Sequence, residues 1–171
     1  SGLDTLVLSL DSFKKQTHDF LRGVDGVYDR LMGVINQFDK ERNSPIHLHI
    51  VTTIMQQNLD DILELTEWVN QHDRIGNISF QAITQPLFTT PDNEWYKNKE
   101  YLFLWPSNLE KVSFVLGRLK DLKEKGYKIT NPPGQFRIFK SYFKHPELFV
   151  KAFHCNLGYN SLSVNPQGNI F

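Results

Sequence analysis

Apolar positions along this chain fall into two rhythms. Leu3, Leu6, Val7, Leu8 and Leu10 form a nearly continuous run over 3–10, the pattern of a parallel strand covered on both faces. The stretches 46–53, IHLHIVTT, and 77–83, NISFQAI, predict two more strands, rich in β-branched residues and bounded by Pro45, Gly76 and Pro86. Between the first two, Tyr28, Leu31, Met32, Ile35 and Phe38 recur at helical spacing and predict a helix over 27–39. Ile62, Leu65, Trp68 and Val69 predict another, with Asn58 as its N-cap and Asp60 and Asp61 offsetting the positive end of its dipole. Two strand–helix–strand units in succession imply parallel strands joined by right-handed crossovers.

From 84 to 106 both rhythms stop, and this long loop carries Trp95, Tyr96, Tyr101, Phe103 and Trp105. Loops of that length are usually functional lids or disordered. Ser107 with Glu110 reads as a capping box for a long helix through Val112, Leu116, Leu119 and Leu122, stopped by Gly126. After the turn at 131–134, Phe136, Phe139 and Phe143 mark a shorter aromatic helix. In the tail, Leu162 and Val164 alternate with polar residues ahead of a turn at 165–168, predicting the start of a hairpin.

The chain has 171 residues, 40% of them hydrophobic, enough for one domain with a core. Lys plus Arg equals Asp plus Glu at 19 each, so no excess of positive charge argues for nucleic acid. Small or neutral partners fit better. No apolar run approaches a membrane span and no basic segment leads into a signal core, so a cytoplasmic protein is expected. Cys155 is the one cysteine and makes no internal disulfide; it reads as buried filler or as one ligand of a set.

Polar residues gather where the first strand ends. Ser9 and Asp11 lie two apart at that end, where ligands sit in parallel sheets because loops and helix N-termini converge there. The plainer reading is a local turn bond from Asp11 or Ser12 to backbone N–H groups. His47 and His49 share a strand face, a spacing open to a metal but equally to hydrogen-bonded or substrate-facing histidines. Gln81, a polar residue within the third strand, needs a partner, which a ligand or a neighbouring loop could supply. The aromatic loop with Lys97 and Lys99 could stack bases, but the neutral balance favours a lid or a partner surface.

SLDS followed by HDFLRG, at 9–12 and 18–23 with Leu8 and Leu10 around it, resembles the fourth strand and following helix of radical S-adenosylmethionine (SAM) barrel enzymes, especially those with a C-terminal SPASM or twitch cluster domain. The resemblance implies that Ser9 and Arg22 hold the amino-acid end of SAM, with Asp11 beside them. It places Asn58 near the ribose and Gln81 by the adenine. A guanidinium suits the carboxylate through two parallel hydrogen bonds. For His18 and Asp19 helix entry is the favoured reading, and Asn58 reads equally as a plain cap. Cys155, Asn165, Pro166 and Gly168 resemble the opening of a SPASM or twitch domain, which makes Cys155 a metal ligand there.

The family's C-x3-C-x2-C motif, which binds the cluster that reduces SAM, does not occur in this sequence. The expectation is therefore an α/β fold: a partial (β/α) barrel of three parallel strands over 1–153, and the start of a cluster segment over 154–171. The resemblance implies SAM and [4Fe-4S] clusters in a full-length parent, whose 5'-deoxyadenosyl radical abstracts hydrogen from a small-molecule or peptide substrate. This chain alone is expected to bind no cluster and to be inactive. An unpaired sheet edge predicts self-association. The alternative is a non-catalytic α/β module that binds a ligand or protein through the aromatic loop 84–106.

Overall fold

The computed structural model describes residues 2–41, 43–86, 89–90 and 92–150. The hairpin expected in the tail, and Cys155 with it, lie outside the described residues. Three strands, β1 (Thr5–Ser9), β2 (His47–Ile54) and β3 (Ile75–Ala82), form one sheet in the order β1-β2-β3, every pairing parallel. Helices α1 (Lys15–Arg22) and α2 (Val27–Lys40) join β1 to β2, and α3 (Ile62–Gln71) joins β2 to β3. Then come α4 (Leu109–Glu124), α5 (Pro133–Lys144) and the one-turn α6 (Glu147–Val150). Strands in sequence order with intervening helices make a singly wound α/β sheet, the arrangement of a barrel segment.

Burial alternates along β2. Leu48, Ile50, Thr52 and Ile54 are fully buried, whereas His47, His49, Val51 and Thr53 are not. Side chains alternate across a strand, so one face of the sheet packs into the core and the other is partly open. The register carries the alternation across the sheet: Val7 pairs with His49, and Ser9 with Val51, which pairs with Ser79. The open face thus presents Val7, Ser9, His49, Val51, Thr53, Asn77, Ser79 and Gln81. A register shift opposite Leu48 and His49 leaves Gly76 as the extra residue of β3. A Cβ there would lie 3.5 Å from the Leu48 carbonyl oxygen.

The far edge of β3 is closed by the segment after α4. Ile78 N–H donates to the Lys128 carbonyl and Thr130 N–H to that of Ile78, a single parallel bridge. Beyond it, Asn131 takes the place of a strand: its Oδ1 accepts Phe80 N–H at 2.7 Å and its Nδ2 donates to the Phe80 carbonyl at 2.9 Å. The outer edge of β1 pairs with no strand among the described residues.

Two helix starts differ from the sequence reading. α3 opens after Asp61, three residues beyond the forecast, because the Asn58 side chain accepts Met55 N–H and closes a 3-10 turn instead of capping a helix. α4 is capped by Asn108, whose Oδ1 accepts Lys111 N–H, while Ser107 bonds to Gln56. The forecast stop at Gly126 is met by a positive φ of 89° there.

The loop 84–106 is more ordered into the core than its composition suggests. Trp95, Tyr96 and Trp105 are buried. Trp105 has ring centroids 5.3–5.5 Å from those of Trp95, Tyr96, Tyr142 and Phe143. Those edge-on and tilted contacts fasten α5 to the loop. Phe103 is half exposed and meets the exposed Phe20 of α1 edge to face.

Candidate functional site

At the C-terminal ends of β1 and β2 the backbone runs out of ladder partners, and polar side chains replace them. Leu10 N–H makes the last strand bond, to the Val51 carbonyl. One residue further, Asp11 turns its carboxylate inward, where Oδ1 accepts Thr53 N–H at 2.9 Å and continues the ladder by side chain. Its Oδ2 receives Nη2 of Arg22, from the last turn of α1, at 2.7 Å. Asp11 is 2% exposed and the Arg22 side chain 33%. Burial pushes the Asp11 carboxyl above its ordinary range, and Arg22, Thr53 N–H and His18 oppose that rise.

Asn58 lies under this pair and is fully buried. Its Nδ2 donates to the carbonyls of Asp11 at 2.8 Å and Thr53 at 2.7 Å, and its Oδ1 accepts Met55 N–H at 2.9 Å. One amide therefore holds the β1 and β2 loops together, with its hydrogen-bonding capacity spent on backbone. Ser12 Oγ makes the local turn bond expected of it, accepting Lys14 N–H, and donates to Asp61. Lys14 closes the group through Asp61 Oδ1 at 2.7 Å.

His18 and Asp19 do more than begin a helix. Asp19 accepts Gly26 N–H and Tyr28 N–H, both at 2.8 Å, and so caps α2; those N–H groups hold its carboxyl below the ordinary range. His18 is fully buried, its Nδ1 accepting Asp11 N–H at 3.2 Å, and its Nε2 has no hydrogen-bond partner among the described residues. Burial lowers its pKa and keeps the ring neutral. The sequence marks His18 only as a residue of helix entry, and its bond to the backbone of Asp11 is legible only in the structure.

The structure thus brings Asp11, Arg22 and Asn58 into one contact network. Ser9 lies just before them on the open face. Gln81 lies two strands across, opposite Thr53 on the same face, exposed, and at the lip of an apolar cavity of about 560 Å³ walled by Trp95, Phe139 and Tyr142. The shared His47 and His49 face is confirmed, but among the described residues no three His, Cys, Asp or Glu side chains gather as a metal site. No helix among the described residues is long and apolar enough to cross a membrane.

Fold and site together define a singly wound α/β unit with a charged cluster at its strand C-termini and neutral polar groups on its open face. No protein-family model matches the chain, and no solved structure matches it. Among characterised proteins, it is similar to the AdoMet-dependent heme synthase of Methanosarcina barkeri (strain Fusaro / DSM 804), 23% identical over 154 residues. The match takes in 89% of this chain and 40% of that protein, so the chain spans well under half the relative's length.

Proposed function

We propose that this chain is the C-terminal half of a radical SAM barrel, supplying part of the SAM and substrate site of a larger enzyme and inactive by itself. The observation that carries the reading is the singly wound sheet with Ser9, Arg22 and Gln81 along the open side of its strand C-termini. The similarity to an AdoMet-dependent enzyme supports it independently. The donor set suits SAM: a guanidinium one-third exposed and the Ser9 hydroxyl for the amino-acid end, and the Gln81 amide for the adenine. When bound and reduced in such enzymes, SAM supplies hydrogen abstraction by a carbon radical.

The part played by the protein is to hold and to shield. Asp11 fixes the guanidinium of Arg22 at the strand end, and Asn58 and His18 fix Asp11, so the cation is oriented before any ligand arrives. Apolar side chains of the core keep water from the sheet behind the site. The described residues do not fit an iron–sulfur cluster. On this reading 154–171, with Cys155, opens a SPASM or twitch segment, and the cluster that reduces SAM is held by sequence outside this chain.

The test is made on the full-length parent. Arg22→Ala should weaken binding of S-adenosylhomocysteine by about tenfold or more, as expected for loss of a hydrogen bond to a charged group; unchanged affinity would overturn the assignment. Anaerobic reconstitution of the chain alone should give no stoichiometric four-iron cluster, and a cluster with SAM cleavage would refute the half-site reading. A second reading, a non-catalytic module binding through 84–106, draws on the cavity beside Trp95. An upstream C-x3-C-x2-C loop in the parent discriminates in favour of the enzyme.

A further inference from the structure

We propose that His49, Ser79 and Asn77 form a receiving site on the open face for a neutral protic group, a ligand hydroxyl or amide N–H accepted by Ser79 Oγ. The inference deepens, and rests on, the reading of that face as a wall of the ligand cavity. It names the substrate class as neutral and hydrogen-bonding.

Register brings the three together. His49 pairs directly with Asn77 across β2 and β3, and Ser79 lies two residues further along the same face. The His49 ring bridges them, with Nδ1 against Asn77 Oδ1 and Nε2 2.8 Å from Ser79 Oγ. An amide oxygen only accepts, so Nδ1 carries the proton and Nε2 is left as an acceptor. Ser79 must then donate its hydroxyl proton to Nε2, which turns the lone pairs of Oγ outward. A hydroxyl whose own proton is committed presents only acceptor capacity, and the groups that satisfy it are O–H and N–H donors.

The surroundings select against ions. Strand positions on this face are Thr5, Val7 and Ser9, then His47, His49, Val51 and Thr53, then Asn77, Ser79 and Gln81, with no Asp, Glu, Lys or Arg among them. Partial burial lowers the pKa of His49, and the strand positions around it supply no ionic partner for a charged ligand; the Arg22–Asp11 pair lies beyond them, at the strand ends. Asn77 Nδ2 makes no hydrogen bond among the described residues, which leaves a donor two residues from the Ser79 acceptor. Ligands carrying both kinds of group, amides and polyols, match this face.

The experiment is long-range 1H–15N correlation of the histidine rings in the 171-residue chain. His49 should be the Nδ1–H tautomer, and finding Nε2–H would overturn the proposal without any variant. Acetamide and glycerol should shift the His49 Nε2 and Ser79 amide resonances, acetate should not, and Ser79→Ala should abolish the response. A response surviving in Ser79→Ala, or none in the wild type, would refute the site. S-adenosylhomocysteine added to the full-length parent, where the SAM site is whole, separates the two readings. Shifts at Ser9 and Arg22 without a response to acetamide reject the receiving site alone. A response to acetamide without shifts at Ser9 and Arg22 supports the receiving site and counts against the SAM reading.

Discussion

Arg22 reaches back from the end of α1 to set Nη2 2.7 Å from Oδ2 of Asp11, a carboxylate only 2% exposed. The two residues flank a turn and a helix, so this one ion pair fixes where α1 leaves the strand. It also places the chain's best-positioned cation at the strand end. Asp11→Asn keeps an acceptor for Thr53 N–H and should cost about 1–2 kcal/mol, whereas Asp11→Ala, which strands both Thr53 N–H and Arg22, should cost about 2–4 kcal/mol. Urea unfolding of the two variants checks the order, and equal losses would show that the Thr53 bond contributes little.

Asn58 joins two loops through three backbone bonds. Asn58→Asp preserves its volume but replaces two donors by a carboxylate facing two carbonyl oxygens. We expect a loss of about 3 kcal/mol or more, at least equal to that of Asn58→Ala, because buried groups left unsatisfied cost their full desolvation. Thermal unfolding decides between them, and a milder Asp variant would point to packing rather than donation.

Acid should weaken the fold through His18. Its pKa is lowered in the folded state by burial, with Asp11 and Asp19 favouring the proton and Arg22 opposing it. The unfolded histidine protonates near its ordinary value while the folded one does not, so stability falls as pH drops below about 6.5 and keeps falling to the lowered folded value. The slope from this one group approaches about 1.4 kcal/mol per pH unit. His18→Asn retains an acceptor for Asp11 N–H and should flatten that part of the profile, measured by denaturant midpoints from pH 7.5 to 5.

Trp105 stands among four rings that tie the loop 84–106 to α5. Trp105→Ala should cost about 3–5 kcal/mol by the cavity it leaves and should collapse the near-ultraviolet circular dichroism. A loss below about 1 kcal/mol would mean that the ring cluster does not hold α5 in place.

Self-association should run through β1. Leu10 N–H and the Asp4 carbonyl point to β2, so the odd residues of the strand direct N–H and C=O outward. Val7→Pro removes an outward donor without costing a ladder bond, a substitution edge strands tolerate. Light scattering should show the wild-type chain associating as concentration rises and Val7→Pro remaining smaller. A wild-type monomer at high concentration would remove the edge as an interaction surface.

The strands were legible in the sequence because apolar β-branched runs between turn residues have few other uses, and β2 and β3 differ from expectation by one or two residues at their ends. α2 and α5 were legible from periodicity alone. The start of α3 was not, since an asparagine before acidic residues looks the same whether it caps a helix or bridges two loops. Within the site, Arg22 and Asp11 could be named but not paired, because their meeting depends on the angle at which α1 leaves the strand. The bond from His49 to Ser79 depends on a register shift at Gly76 that no local pattern announces.

Asn131 satisfies Phe80 on both its N–H and its C=O, so beyond that point the sheet is finished on one flank by a single side chain. Growth is one-directional. Two copies meeting flank to flank could form a closed pair but not a lengthening fibril, because the Lys128–Thr130 bridge and the Asn131 amide together leave the β3 flank no free ladder positions at Ile78 and Phe80.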